Sequence, residues 1–452
     1  MGSIAVRGRL VTCLDDPFQA GSRALAHEPD GLIVVDDGRI TATGPASTLM
    51  PQLAPGTPIA HYPGCLISPG FIDTHVHYTQ TGIVGAYGAQ LLDWLNQYAY
   101  PAEMRFGDRA HAAVMARAFC DELVRNGTTT ALVFCAVFPE SVDALFEEAA
   151  RRNLRLIAGK VLMDRNAPAA LLDTPQSAYD QSKALIAKWH GRGRAHYAIT
   201  PRFAPTSSPE QLEMAGALWA EHPDVFVHSH LSENAAECAW VHQLFPDHEN
   251  YLDVYDYFGL TGRRAVYAHG VHLSESELVH CHHTGTALAH CPTSNFFLGS
   301  GIFNLGAATD PARPVQVGLG TDIGAGTSFS MFATLNEAYK AAQLTGSVID
   351  GARGWYLATL GAARALDLDE HIGSLQPGRD ADFIVIDPAA TPLLKLRTDR
   401  CESIEELLFV LMTLGDDRCV KDTYVSGVVQ GPGSRVQSPE SGGLSDLHQM
   451  TQ

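Results

Sequence analysis

Pro69-Gly70-Phe71-Ile72-Asp73-Thr74-His75-Val76-His77 is the stretch on which the fold turns. It reads as an apolar strand that ends in two histidines. Residues two apart on a strand face the same way, so His75 and His77 point together. Two imidazoles on one face suit zinc or a similar divalent ion. A pair of buried, hydrogen-bonded core histidines would give the same pattern. Whether similar strands recur along the chain decides between these readings.

They do recur. Short apolar runs at 65–77, 127–135, 155–163, 196–203, 225–231, 264–272, 286–291 and 315–322 alternate with stretches of helical spacing, as at 139–152, 209–222 and 274–283. Eight strands alternating with helices predict an α/β fold, a (β/α)8 TIM-like barrel, with one more helical stretch at 347–368. A doubly wound open sheet is the rival, and no G-x-G-x-x-G turn follows an early strand to support it.

The flanks read differently. Residues 31–35 and 39–42 are strands around an Asp-Gly turn, 383–386 is an apolar run, and 422–429 is a last strand. Neither end is large enough for a core of its own. They are expected to pair into one small β-sandwich domain, with residues 1–67 and 375–452 flanking a catalytic barrel over 68–374.

In a barrel, active groups collect where strands end, at the C-terminal face. The fifth strand ends in Val227-His228-Ser229-His230-Leu231-Ser232-Glu233. There His230 is a candidate ligand and Glu233 can reach the same cavity, whereas His228, deeper on the same face, is expected to be structural. The sixth strand contributes His269. The eighth ends at Asp322, a carboxylate that needs a cation or hydrogen bonds after an apolar run. Any one of these could be a satisfied core residue, but so many polar strand ends on one rim point to a metal-dependent site. His280, His282 and His283 fall in a helical stretch and are expected to face solvent or a loop. His272 and Lys160 are expected to be structural.

The whole chain sets outer limits. Its 452 residues, 46% hydrophobic and 18% charged, can bury a large core and leave little room for long disorder. A formal charge of -19 argues against nucleic acid or an anionic membrane as partner. No signal peptide is expected at the N-terminus, and Val6 stands where a myristoylation start needs Ser or Thr. No apolar run approaches the ~20 residues of a membrane-spanning helix. The nine cysteines are dispersed, with no C-x-x-C, which fits reduced thiols in the cytoplasm. It also excludes the zinc deaminases that use H-x-E with P-C-x-x-C.

From Pro69-Gly70-Phe71-Ile72-Asp73, through the motif Asp73-Thr74-His75-Val76-His77, to Gly415-Asp416-Asp417-Arg418, the chain resembles the amidohydrolase superfamily and, within it, the guanine deaminase family. The segments that carry the likeness are His77-Tyr78-Thr79-Gln80, Leu92-Asp93-Trp94-Leu95 with Tyr100-Pro101-Ala102-Glu103, and Thr200-Pro201-Arg202-Phe203. Ser229-His230-Leu231-Ser232-Glu233-Asn234, His290-Cys291-Pro292-Thr293-Ser294-Asn295 and Gly320-Thr321-Asp322 complete them. One departure is Ala204-Pro205-Thr206 after the Arg-Phe pair, where the family carries more polar small residues.

The resemblance implies hydrolysis of guanine to xanthine and ammonia in purine catabolism, by a cytoplasmic homodimer. It implies one zinc ion per subunit on His75, His77, His230 and Asp322, a donor set that iron also fits. Gln80, Arg202 and Phe203, with His77 and His230, would bind the purine. Asp322 and Glu233 would move protons, and His269 would orient the attacking water. Deaminases of 8-oxoguanine, pterins or triazines share the metal set and are the alternative. A metal-free interaction protein is a further one, disfavoured because every ligand position carries a competent side chain.

Overall fold

A computed structural model of the chain describes residues 2–88 and 90–430. The strands, in chain order, are β1 (Ile4–Cys13), β2 (Leu25–Asp36), β3 (Arg39–Pro45), β4 (Ile59–Pro69), β5 (Phe71–His77), β6 (Thr128–Phe134), β7 (Arg155–Gly159), β8 (Val161–Leu162), β9 (His196–Pro201), β10 (Phe226–Leu231), β11 (Ala265–His269), β12 (Ala287–His290), β13 (Val317–Leu319), β14 (Phe383–Ile386), β15 (Val420–Val425) and β16 (Val428–Val429). Among the described residues they form two sheets. No described helix is long and apolar enough to cross a membrane.

The larger sheet is the expected barrel. Parallel strands run in the order β5-β6-β7-β9-β10-β11-β12-β13, with the short β8 beside β9. The two end strands are joined across a seam. The Asp322 N–H donates to the His75 carbonyl at 2.9 Å, and the His77 N–H donates to the Ile323 carbonyl at 2.9 Å. Asp73 is fully buried beside that seam and accepts from the Thr321 N–H at 3.0 Å, from the Thr321 hydroxyl, and from the His75 N–H at 3.2 Å. Burial pushes its carboxyl up to about 7 in spite of these bonds.

Helices cover the outside, among them Arg109–Arg125, Pro139–Arg152, Pro175–Trp189, Pro209–Glu221 and Glu275–Thr284. Their starts are set locally. Ser208 accepts from the Gln211 N–H, and Ser274 and Glu277 form a reciprocal capping box, which satisfies N–H groups that have no partner within the helix.

Four stretches expected as single elements are divided. The run 65–77 is two strands: its first part joins the small sheet and its second opens the barrel. The break falls at Gly70, where a Cβ would sit 2.2 Å from the Thr129 hydroxyl. The run 155–163 breaks at Lys160. The helical stretch 347–368 becomes Gly351–Ala358 and Leu360–Ala365, interrupted at Thr359, whose hydroxyl bonds the Trp355 carbonyl at 2.6 Å. The last strand is a hairpin, because Ser426 (φ 47°) and Gly427 (φ 75°) turn the chain between β15 and β16.

Both chain ends build the smaller sheet, in the order β16-β15-β14-β4-β1-β2-β3. All seven strands are hydrogen-bonded in one series, and the sheet folds over on itself. Ile33 and Val35 of β2 share one apolar cluster with Phe383 and Val385 of β14 and Tyr424 of β15. The expected part of this unit beyond residue 430 lies outside the described residues.

The two sheets are held together at the end of the barrel away from the strand C-termini. Arg155, at the start of β7, donates to Asp380 at 2.6 Å; Arg194 pairs with Asp382 and lies 3.3 Å from Asp380. Burial raises the Asp380 carboxyl, but Arg194 and Arg155 outweigh it and hold it below the ordinary value. Asp380→Asn is expected to cost about 3 kcal/mol, because two nearly buried guanidinium groups lose their shared partner. A depressed folded pKa stabilises above the unfolded value of ~3.9 and is lost as pH falls through the folded one. The gap in melting temperature between wild type and Asp380→Asn should therefore be wide at neutral pH and close below about pH 4. An equal gap at both pH values would refute this.

Candidate active site

The C-terminal ends of the barrel strands deliver the polar groups that the sequence singles out. His75 and His77 end β5, His230 lies near the end of β10, His269 ends β11, and Asp322 follows β13. The Asp322 carboxylate lies 3.2 Å from His75 Nε2 and 3.4 Å from His77 Nε2, and the Nε2 atoms of His77 and His230 are 3.2 Å apart. Donor atoms of His75, His77 and Asp322 fall within 4.8 Å of one another, as do those of His75, His230 and His269, and those of His269, Cys291 and Asp322. The rim is strained: His269 (φ 76°) and Asp322 (φ 50°) take left-handed backbone, which costs a side-chain-bearing residue on the order of 1 kcal/mol or more.

The protonation pattern suits a cation. Burial drives His75, His77 and His230 well below the usual imidazole value, so all three are neutral. The Nδ1–H of His230 donates to the Arg202 carbonyl at 2.6 Å, and that of His269 donates to Asn295 Oδ1 at 2.9 Å. Each bond fixes a tautomer that leaves Nε2 as a lone pair. His75 Nδ1 is 2.8 Å from His228 Nε2, and the Nε2 atoms of His75 and His269 are buried without a hydrogen-bond partner. Converging lone pairs around a buried carboxylate are unfavourable alone and fit a divalent metal.

A pocket opens above this cluster. Its polar lining comprises His77, Gln80, Arg202, His230, Glu233, His269 and Asp322; Phe203, Leu91, Trp94, Leu95 and Leu298 supply apolar walls. Glu233 accepts from the Ser300 hydroxyl at 3.3 Å and lies 3.5 Å from His269 Nε2. Burial, helped by the Asp322 charge, pushes its carboxyl up to about 8. Near neutrality this group therefore carries a proton that it can donate. Arg202 pairs with Glu103 at 2.6 Å and lies over the Tyr100 ring at 5.3 Å.

Every residue assigned from sequence to the substrate, the metal or proton movement thus sits in or directly beneath one cavity. The discounted groups lie apart from it or behind it. Lys160 is fully buried and pairs with Asp173, His228 stands behind His75, and His272 bonds the Ser300 carbonyl at 2.9 Å. His280 bonds Asp256, while His282 and His283 are exposed. Sequence reasoning missed the contacts of Glu103 with Gln80 and Arg202, and those of Asn295 with His269 and Ser300 with Glu233. A lone acidic residue inside the apolar stretch 98–106 was the available signal for Glu103.

Comparison with known proteins agrees with this geometry. The Amidohydrolase family pattern matches residues 66–429. Guanine deaminase of Escherichia coli (strain K12) is 53% identical over 426 residues, covering 94% of this chain and 96% of that protein. Among solved structures, guanine deaminase from Bradyrhizobium japonicum superposes with a TM-score of 0.91 at 41% identity, covering 95% of this chain and 99% of that one. Guanine deaminase from C. acetobutylicum, with guanine bound in its active site, superposes with a TM-score of 0.85 at 29% identity, covering 95% and 100%. With its barrel, its strand-end histidines and these relatives, the chain belongs to the amidohydrolase family and, within it, to the guanine deaminases.

Proposed function

We propose that this chain hydrolyses guanine at C2, giving xanthine and ammonia, with a zinc ion held by His75, His77, His230 and Asp322. One observation carries the reading: the donor-only guanidinium of Arg202, the ring of Phe203, Glu233 and the imidazole–carboxylate cluster line a single pocket. The reading extends to a cytoplasmic homodimer on the family likeness.

When bound, the ion would lower the pKa of water from about 15.7 towards about 7, making a nucleophile available at neutral pH. The residues around it do the rest. Arg202 has donors and no acceptor, so it matches O6 of guanine and leaves an unmatched donor against the amino group of adenine. Sites of this kind discriminate by roughly 10⁴-fold or more. Phe203 gives the ring a face to stack on, and Leu91, Trp94 and Leu298 keep bulk water out. His269, its tautomer held by Asn295, accepts a hydrogen bond from the attacking water, and Asp322 takes that water's proton. Glu233 protonates a ring nitrogen as the C2–O bond forms. Protons then pass to the exocyclic nitrogen, the C2–N bond breaks, and ammonia leaves. In sum, guanine and water give xanthine and ammonia.

Two experiments bear on this. Purified protein is expected to carry about one zinc ion per chain, to lose turnover on chelation and regain it with zinc. His75→Ala should lower the bound metal; unchanged metal content in that variant would remove His75 from the set. Glu233→Gln should reduce xanthine formation by roughly 10²–10⁴-fold with the metal retained. Turnover close to wild type would take Glu233 out of the mechanism.

A further inference from the structure

Behind the polar edge of the pocket lies a carboxylate that does not line it. Glu103 belongs to the short helix Tyr100–Met104 and is 0% exposed. Its two oxygens serve two different pocket residues: Oε1 accepts from Gln80 Nε2 at 3.0 Å, and Oε2 accepts from Arg202 Nη1 at 2.6 Å. Residues from three separate parts of the chain meet at this one group.

We propose that Glu103 is a positioning residue that sets the hydrogen-bond polarity of the substrate pocket, locking Gln80 and Arg202 as donors towards the acceptor edge of a neutral oxopurine. This deepens the guanine reading and rests on it.

A carboxylate paired with a guanidinium only accepts, so the end of the Gln80 amide that faces Glu103 must be its nitrogen. At its other end, Gln80 Oε1 accepts from the Gly324 N–H at 3.2 Å, so that end must be oxygen. Both neighbours demand the same orientation, and the amide cannot flip without turning two like groups against each other. The second N–H of Gln80 is then left to face the cavity. Arg202 spends one N–H on Glu103, with the Tyr100 ring beside its guanidinium, and its remaining groups are donors as well. Charge follows the same logic. The guanidinium is already neutralised, so the pocket does not call for an anionic ligand, only for lone pairs. The O6 and N7 atoms of guanine offer two adjacent acceptors, whereas a 6-amino group offers donors.

The test compares guanine with 2,6-diaminopurine, which keeps the C2 amino group that leaves and replaces the oxygen at C6 by an amino group. In Glu103→Gln the carboxamide can present either end, so the Gln80 amide is held by the Gly324 N–H alone, and Arg202 loses its charge partner. The ratio of kcat/KM for guanine over 2,6-diaminopurine is expected to fall by roughly tenfold or more. The loss on guanine should fall mainly in KM, with zinc content unchanged. A merely structural role would lower both substrates alike, and an unchanged ratio would overturn the proposal. If Glu103→Gln does not accumulate as folded protein, Glu103→Asp is read the same way: it keeps the charge but is one methylene too short to span both partners. A wild-type ratio in Glu103→Asp would likewise overturn the role. Wild-type protein inactive on guanine would instead bring down the functional reading itself.

Discussion

The seam between β5 and β13 is the constraint on which the site depends. The Asp322 amide bonds the His75 carbonyl at 2.9 Å, so the first and last barrel strands are held side by side where their catalytic ends emerge. Only that closure puts the Asp322 carboxylate 3.2 Å from His75 Nε2, although the two residues are 247 positions apart in the chain. Asp73 reinforces the junction from below by accepting from both sides of it, and its complete burial makes each of those bonds expensive to lose. A barrel left open at this edge would keep its apolar core and lose the cluster.

Burial then decides the state of the groups gathered there. Water is excluded, so His75, His77 and His230 are neutral and their lone pairs are available, while Glu233 is pushed the other way and keeps its proton. One physical cause thus produces bases for a metal and an acid for the substrate within a few ångströms. Partners behind the site complete the arrangement. Asn295 orients His269, the Arg202 carbonyl orients His230, and Glu103 ties Arg202 to Gln80.

The small sheet stands at the other end of the barrel and leaves the site untouched. It joins both termini, and its linker carboxylates Asp380 and Asp382 take up Arg155 and Arg194 near the start of the strands. Stability devices and chemistry are therefore separated along the barrel axis, as expected where loops at the strand C-termini carry function.

Local pattern in the sequence was enough for the barrel and for singling out His75, His77, His230, Glu233, His269 and Asp322 as polar groups at strand ends. Strand alternation and the apolar period depend on neighbouring residues alone and survive without knowledge of the fold. Resemblance of short segments added Gln80, Arg202 and Phe203. What tertiary structure decided were the points where distant segments meet. One apolar run divides between two sheets at Gly70, where Thr129 approaches too closely for a Cβ. Ser426 and Gly427 turn a final strand into a hairpin that closes against β2. Glu103 gains its partners only when residues 80, 103 and 202 are brought together. Hydrogen-bond pairing across such separations is set by three-dimensional proximity, and no local periodicity records it.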